Sequence, residues 1–270
     1  MHLLINYSLR DAPDRGNTPA AEERARGGAD AMPGIEIRPL RLPPPFALHR
    51  IDAGDVLEAA CALAPDAGAG TLVLAERPGL LALAVVLEPE QPLAEARLAF
   101  LVGMAALADA LAAHCPPERP VRFVWPDEIR YDRSRLGGGR LAIAPGCAED
   151  ALPDWMVFAA ELIADRDGID EPGRYPDSIS LAEDQFAPAG DIVESFASYL
   201  MLYFDRWTHE GIEAVTNRYL MRIDPPLLRG QRRIEGDALV EISHAGATRR
   251  IGLTEGLAAS TWRGAGGPRL

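Results

Sequence analysis

Apolar residues recur along this chain at two spacings, one helical and one extended. Across residues 55–63, Val56, Leu57, Ala60 and Cys61 share one face at helical spacing. Residues 71–74 and 80–87 are strand candidates, and the second run is apolar throughout, as in a strand buried on both faces. Pro89 and Pro92 bracket a turn. Residues 94–114 then form a long Ala- and Leu-rich helix with Met104, Leu107 and Leu111 at core spacing, stopped by Pro116 and Pro117. Residues 121–125 read as a strand and 129–132 as strand or turn. Gly137-Gly138-Gly139 reads as a tight turn ahead of residues 141–143, and 155–164 as an apolar strand. A polar, Gly- and Pro-containing loop at 165–176 precedes helices at 192–210 and 212–221. From residue 227 the pattern shortens to two strands, 238–243 and 249–253, separated by Gly246.

Three features of composition narrow the function. The formal charge of −13 lacks the basic footprint that nucleic acid requires and argues against adsorption to anionic lipid, so neither is an expected partner. All 27 basic residues are arginine. With no lysine there is no Schiff-base partner and no phosphate-anchoring ammonium, which excludes pyridoxal-phosphate chemistry and ordinary P-loop ATPases. The three cysteines, Cys61, Cys115 and Cys147, are far apart, and the five histidines are equally scattered, so no metal site is expected. The N-terminus has neither the basic segment nor the apolar core of a secretory signal. The expected setting is the cytoplasm, with thiols reduced.

One segment concentrates candidate chemistry. Trp125-Pro126-Asp127-Glu128 is followed by Arg135 and then by Gly137-Gly138-Gly139. This order resembles the signature of the biotin/lipoate protein ligase family: Lys-Trp-Pro-Asn-Asp, then a catalytic lysine and a Gly-containing segment. The flanking elements agree over roughly residues 40–222. Val124 stands where the motif's first lysine would be, Asp127-Glu128 replaces Asn-Asp, and Arg135 stands where the catalytic lysine is expected. The family's adenylate loop has no clean match; residues 75–79, with Arg77, sit nearest to its place.

The resemblance implies a ligase that uses MgATP to activate the carboxylate of biotin or lipoate. The acyl group then passes from the adenylate to a lysine of a biotinyl or lipoyl carrier domain. It assigns catalysis to Arg135, Glu128 and Asp127, and substrate or adenylate binding to Trp125, Arg77, Gly137, Gly138 and Gly139. Elements and resemblance together predict an α+β fold: a mixed, mostly antiparallel sheet flanked by helices, of the class II synthetase/biotin protein ligase type, with a small C-terminal β appendage. The expected divisions are a disordered extension (1–33), a ligase-like domain (34–223) and a small β-rich region (224–270). Two alternatives stand beside this reading. One is a catalytically degenerate relative that binds a cofactor or carrier protein. The other is an acyltransferase using Cys147, the best-placed thiol. The plainest readings are also open: Trp125 as a core aromatic, Asp127 and Glu128 as solvated turn residues, and the glycines as a simple turn.

Overall fold

The computed structural model describes residues 39–166, 174–227 and 229–270. The extension expected at 1–33 and part of the loop expected at 165–176 lie outside the described residues. Among those described, the main sheet has seven strands: β1 (Ala47–Arg50), β2 (Thr71–Arg77), β3 (Leu80–Leu87), β4 (Val121–Val124), β5 (Glu128–Tyr131), β6 (Ser134–Ile143) and β7 (Met156–Ile163). Their order across the sheet is β1-β2-β3-β7-β6-β5-β4. β1 runs parallel to β2, and every other neighbouring pair is antiparallel.

Strand alternation assigns each side chain to one of two faces. Leu72, Leu74, Leu81, Leu83, Val85, Phe158 and Ala160 meet three helices, α3 (Ala99–Ala113), α4 (Ala189–Glu210) and α5 (Glu213–Leu220). The intervening residues Val73, Ala75, Ala82, Ala84, Val86, Val157 and Ala159 meet α1 (Val56–Ala67). This two-sided cover is why β3 is apolar and buried along its whole length. A four-residue helix, α2 (Leu93–Ala96), leads into α3, in which every residue from Ala99 to Leu111 is buried. The stretch Leu93–Ala113 is long and apolar enough to cross a membrane, but 83% of its most apolar window is buried inside the protein. It is a core helix between the sheet and α4.

The structure corrects the reading of Gly137-Gly138-Gly139 as a turn: all three lie within β6, a ten-residue strand. The chain reverses earlier, at Asp132 and Arg133, with Asp132 in the left-handed region at φ 56. The glycines answer to crowding rather than to reversal. A Cβ on Gly139 would run into Met104 Sδ on the helix side, and one on Gly138 would run into the Trp262 ring on the other.

Beyond α5 the chain forms a three-stranded antiparallel sheet, β8 (Gly230–Glu235), β9 (Ala238–Ser243) and β10 (Thr248–Gly252). The sequence pattern missed β8 because Ile234 is its only large apolar residue; the ladder to β9 holds it extended. A short helix, α6 (Leu253–Ala258), follows, then a hairpin of β11 (Arg263–Gly264) and β12 (Gly267–Pro268). This last segment returns to the main sheet. It covers the part of the α1-side face that α1 leaves open, around Leu80, Gly138 and Glu161.

Candidate functional site

The site is built where β4 turns into β5. The Trp125-Pro126 bond is cis, and the Tyr219 hydroxyl donates to the Pro126 carbonyl at 2.6 Å. Trp125 meets the Tyr219 ring edge-on at 5.8 Å. On its other side α6 approaches so closely that a Cβ on Gly256 would sit 2.8 Å from Pro126 Cδ and 3.2 Å from Trp125 Nε1. Trp125 Nε1 is buried without a hydrogen-bond partner.

Asp127 and Glu128 are not solvated turn residues; they are 5% and 6% exposed. The Asp127 backbone carbonyl accepts from Gly139 N at 2.8 Å, tying the turn to β6. Its carboxylate accepts from Trp262 Nε1 at 2.9 Å. Burial pushes the Asp127 carboxyl up to about 6, because hydrogen bonds from Ser260 and Trp262 only partly offset the lost hydration. Glu128 Oε1 accepts from Arg130 Nε at 2.8 Å and lies 3.4 Å from Arg135 Nε.

Arg135 stands near the start of β6, its side chain 17% exposed. Its Nη1 donates to the Arg269 carbonyl at 3.2 Å, while its Nε is buried and lacks hydrogen-bond geometry to any partner. Register places Glu128, Gly138 and Glu161 in one row across β5, β6 and β7, on the α1-side face. Arg77 lies on that face too, paired with Leu80 at the far edge of β3, and its Nε is likewise buried and unpartnered. The predicted residues are thus only partly brought together. Trp125, Asp127, Glu128, Arg135 and Gly138 form one cluster, while Arg77 on β2 is separated from β6 by β3 and β7. Gly139 faces the helix-side core, and Gly137 is pressed against the Glu161 carbonyl.

Beside this cluster lies an ion network of two acids and two arginines. Asp55 caps α1, accepting from Leu57 N at 2.8 Å. Arg140 Nη1 donates to both Asp55 oxygens, at 2.8 and 2.6 Å, and to Glu161 Oε1 at 3.0 Å. Arg263 binds Glu161 through Nε at 3.0 and 2.9 Å and Asp55 Oδ2 through Nη2 at 2.9 Å. Burial alone would raise the Asp55 carboxyl, but the Arg140 hydrogen bonds and charge outweigh it and hold the group below its usual range. Glu161 is only 1% exposed, and the two guanidiniums supply its hydrogen bonds.

Cys147 is far from the cluster. It follows the end of β6 opposite to Arg135, and the eight steps along the strand from Arg135 to Ile143 span roughly 26 Å. An open cleft of about 520 Å³, lined by Arg41, His114, Ser195 and Tyr199 among others, contains none of the predicted site residues.

A model of the biotin/lipoate A/B protein ligase family matches residues 42–221. The chain belongs to this family. No curated protein sequence matches it. Among solved structures, it is similar to a biotin protein ligase-like protein of unknown function from Silicibacter sp. TM1040. The two share 25% identity with a TM-score of 0.67, over 81% of this chain and 99% of the other. It is also similar in fold to the biotin protein ligase of Aquifex aeolicus. A mutant of that ligase in complex with biotin gives 12% identity and a TM-score of 0.56, over 76% of this chain and 94% of that one. The form in complex with biotin and ATP gives 12% and 0.55, with the same coverage. The mixed, mostly antiparallel sheet with flanking helices is the biotin protein ligase fold.

Against that ligase fold, the sequence reading missed Asp55, Arg140, Glu161, Trp262 and Arg263. Two of them left a signal. Glu161 is the lone charge in an otherwise apolar strand, and Trp262 is the lone aromatic in a tail of small residues. A charge survives inside such a strand only when it is paired. Asp55 and the two arginines carry no comparable mark.

Proposed function

We propose that this chain is a biotin/lipoate ligase-type enzyme that activates a small carboxylic acid with ATP and passes the acyl group to a carrier-domain lysine in the cytoplasm. The observation carrying this reading is a set of unspent donors. Four buried side-chain polar atoms lack a partner among the described residues, and three of them are Arg77 Nε, Trp125 Nε1 and Arg135 Nε. Buried polar groups are ordinarily satisfied, so orphaned donors at two residues of the Trp125–Arg135 segment, and at Arg77 on the same sheet face, point to an absent acceptor.

The chemistry assigned to these residues follows from their types. The acid's carboxylate oxygen attacks the α-phosphorus of ATP, and the bond to pyrophosphate breaks. Arg135 supplies a fixed cation and N–H donors to the phosphate oxygens; a guanidinium fulfils this electrostatic role but cannot transfer a proton. The carrier lysine then attacks the acyl carbon and AMP leaves. Glu128 already accepts from Arg130, so the proton from the amine goes to Asp127, whose raised proton affinity lies near neutral pH. Among the described residues no group of three or more His, Cys, Asp or Glu forms a metal cage, and no step is assigned to Mg²⁺.

ATP–pyrophosphate exchange with biotin, lipoate and octanoate tests this. Slow but measurable exchange is expected in the wild type. Arg135→Ala should reduce it by roughly 10²–10³-fold, the cost of one well-aimed transition-state donor. Arg135→Lys should preserve or raise it. Absence of exchange and of binding to any of these ligands would overturn the ligase reading. A second reading, a relative that binds without ligating, is favoured by one observation: the Trp262 ring stands on Gly138, inside the cluster. Binding of the acid without exchange would select it. The Cys147 acyltransferase has no such support.

A further inference from the structure

The open part of the α1-side face is filled by the protein's own C-terminal segment. Trp262 is 1% exposed, its ring lies on Gly138, and its N–H is spent on Asp127. Arg263 clamps Glu161 and Asp55. Gly267 rests against Leu80 and Glu161, and the Arg269 carbonyl takes up an Arg135 N–H. The segment therefore touches three residues of the proposed site, Asp127, Arg135 and Gly138.

Its hold is nonetheless small and polar. Little of the segment is regular structure: β11 and β12 are two residues each. Trp262 is its one large apolar anchor, and Arg263 is 25% exposed. The segment also leaves part of the site unmet, since Arg135, which donates through Nη1 to the Arg269 carbonyl, keeps a buried Nε with no hydrogen bond. An occupant that fills a site without meeting its donors is one that a better-matched ligand displaces.

We propose that the segment Trp262 to Arg269 is an internal ligand: it covers the part of the α1-side face around Gly138 and Glu161 in place of a flat ring bearing an N–H donor, and it must leave before that ligand binds. The inference rests on the ligase reading above. The class follows from Trp262, a flat bicycle set on a bare glycine with its N–H on a carboxylate. The ureido ring of biotin and the aminopurine of ATP share that chemistry; the dithiolane of lipoate does not. Occupation by the tail weakens apparent affinity by the fraction of molecules in which this face is uncovered.

Calorimetry on full-length wild type and Arg263→Ala, with biotin, ATP and lipoate, tests the proposal. Amide exchange is followed in parallel at Arg269, whose N–H donates to the Trp262 carbonyl at 2.7 Å. Leu253, whose N–H donates to the Asp237 carbonyl at 3.0 Å, serves as the control amide. Arg263→Ala should bind biotin or ATP at least tenfold more tightly than wild type. Saturating ligand should speed exchange at Arg269 in the wild type and leave Leu253 unchanged. Equal affinity in the two proteins, with the Arg269 amide unmoved by ligand, would overturn the internal ligand and leave the ligase reading standing. An equal gain for lipoate would overturn the ring class. No binding by either protein, although Arg269 exchanges faster in the variant, would overturn both. Because the wild-type exchange experiment needs no substitution, a misfolded variant does not rescue the idea.

Discussion

Two buried aspartates in this protein have opposite fates. Asp109, on the helix-side layer, receives the Tyr203 hydroxyl and the guanidinium of Arg218 at 2.8 Å, together with that of Arg222. Burial pushes its carboxyl up, but these three donors win and hold it below the ordinary range. Asp127, at the candidate site, is about as deeply buried, yet its donors are a hydroxyl, an indole N–H and a backbone N–H with no guanidinium among them, and its carboxyl rises to about 6. Full pairing makes an acid a structural rivet. Partial pairing leaves it able to gain and lose a proton near neutrality, the condition general-base work requires.

The sharpest way to break the contrast is Asp109→Asn. It leaves two guanidiniums facing an amide, and losing one partner of a buried pair costs about 3–5 kcal/mol. Urea unfolding at pH 7 measures this; a loss under ~1 kcal/mol, the scale of an exposed pair, would mean that solvent already screens the cluster.

The next substitution, Asp127→Asn, should act in the opposite direction. Because the folded-state group binds its proton more tightly than the unfolded one, the ionised form costs stability above about pH 6. That cost disappears as pH falls through about 6 towards the ordinary carboxylate range. A rise of that size corresponds to at most about 3 kcal/mol. The asparagine variant should thus unfold later than wild type at pH 8, with the gap narrowing below pH 6 and closing as pH falls past the ordinary carboxylate value of 3.8. Equal pH profiles for the two proteins would place the titration elsewhere.

The smallest effect is expected from Trp262→Phe, which keeps a ring on Gly138 but removes the N–H from Asp127. A lost hydrogen bond to a buried charged group costs about 1–3 kcal/mol. The loss should appear at pH 8 and fade at pH 5, where Asp127 carries its proton. A loss independent of pH would mean that Trp262 stabilises through packing alone.

Legibility followed the range of the forces involved. The buried strand at 80–87, the core helix and the strand at 155–164 were readable because their hydrophobic period is local. The Trp-Pro-acid turn and Arg135 were readable as a motif. The role of the three glycines was not, since a glycine before a turn and one beneath a ring look alike in sequence. Gly138 is explained by the Trp262 ring, 124 positions later in the chain, together with the Asp127 carbonyl on the neighbouring strand turn.

By itself the sequence determined the order and kind of the main elements, the absence of any lysine chemistry, and the acid–arginine–glycine cluster after Trp125. These depend on residue type and on neighbours a few positions away. Only the tertiary structure decided that Glu161 pairs with Arg140 and Arg263, that Asp127 has weaker partners than Asp109, and that the tail lies on the α1-side face. Charge state, orphaned donors and occupancy depend on what surrounds an atom in space, and the groups that meet here are separated by up to 208 positions in the chain.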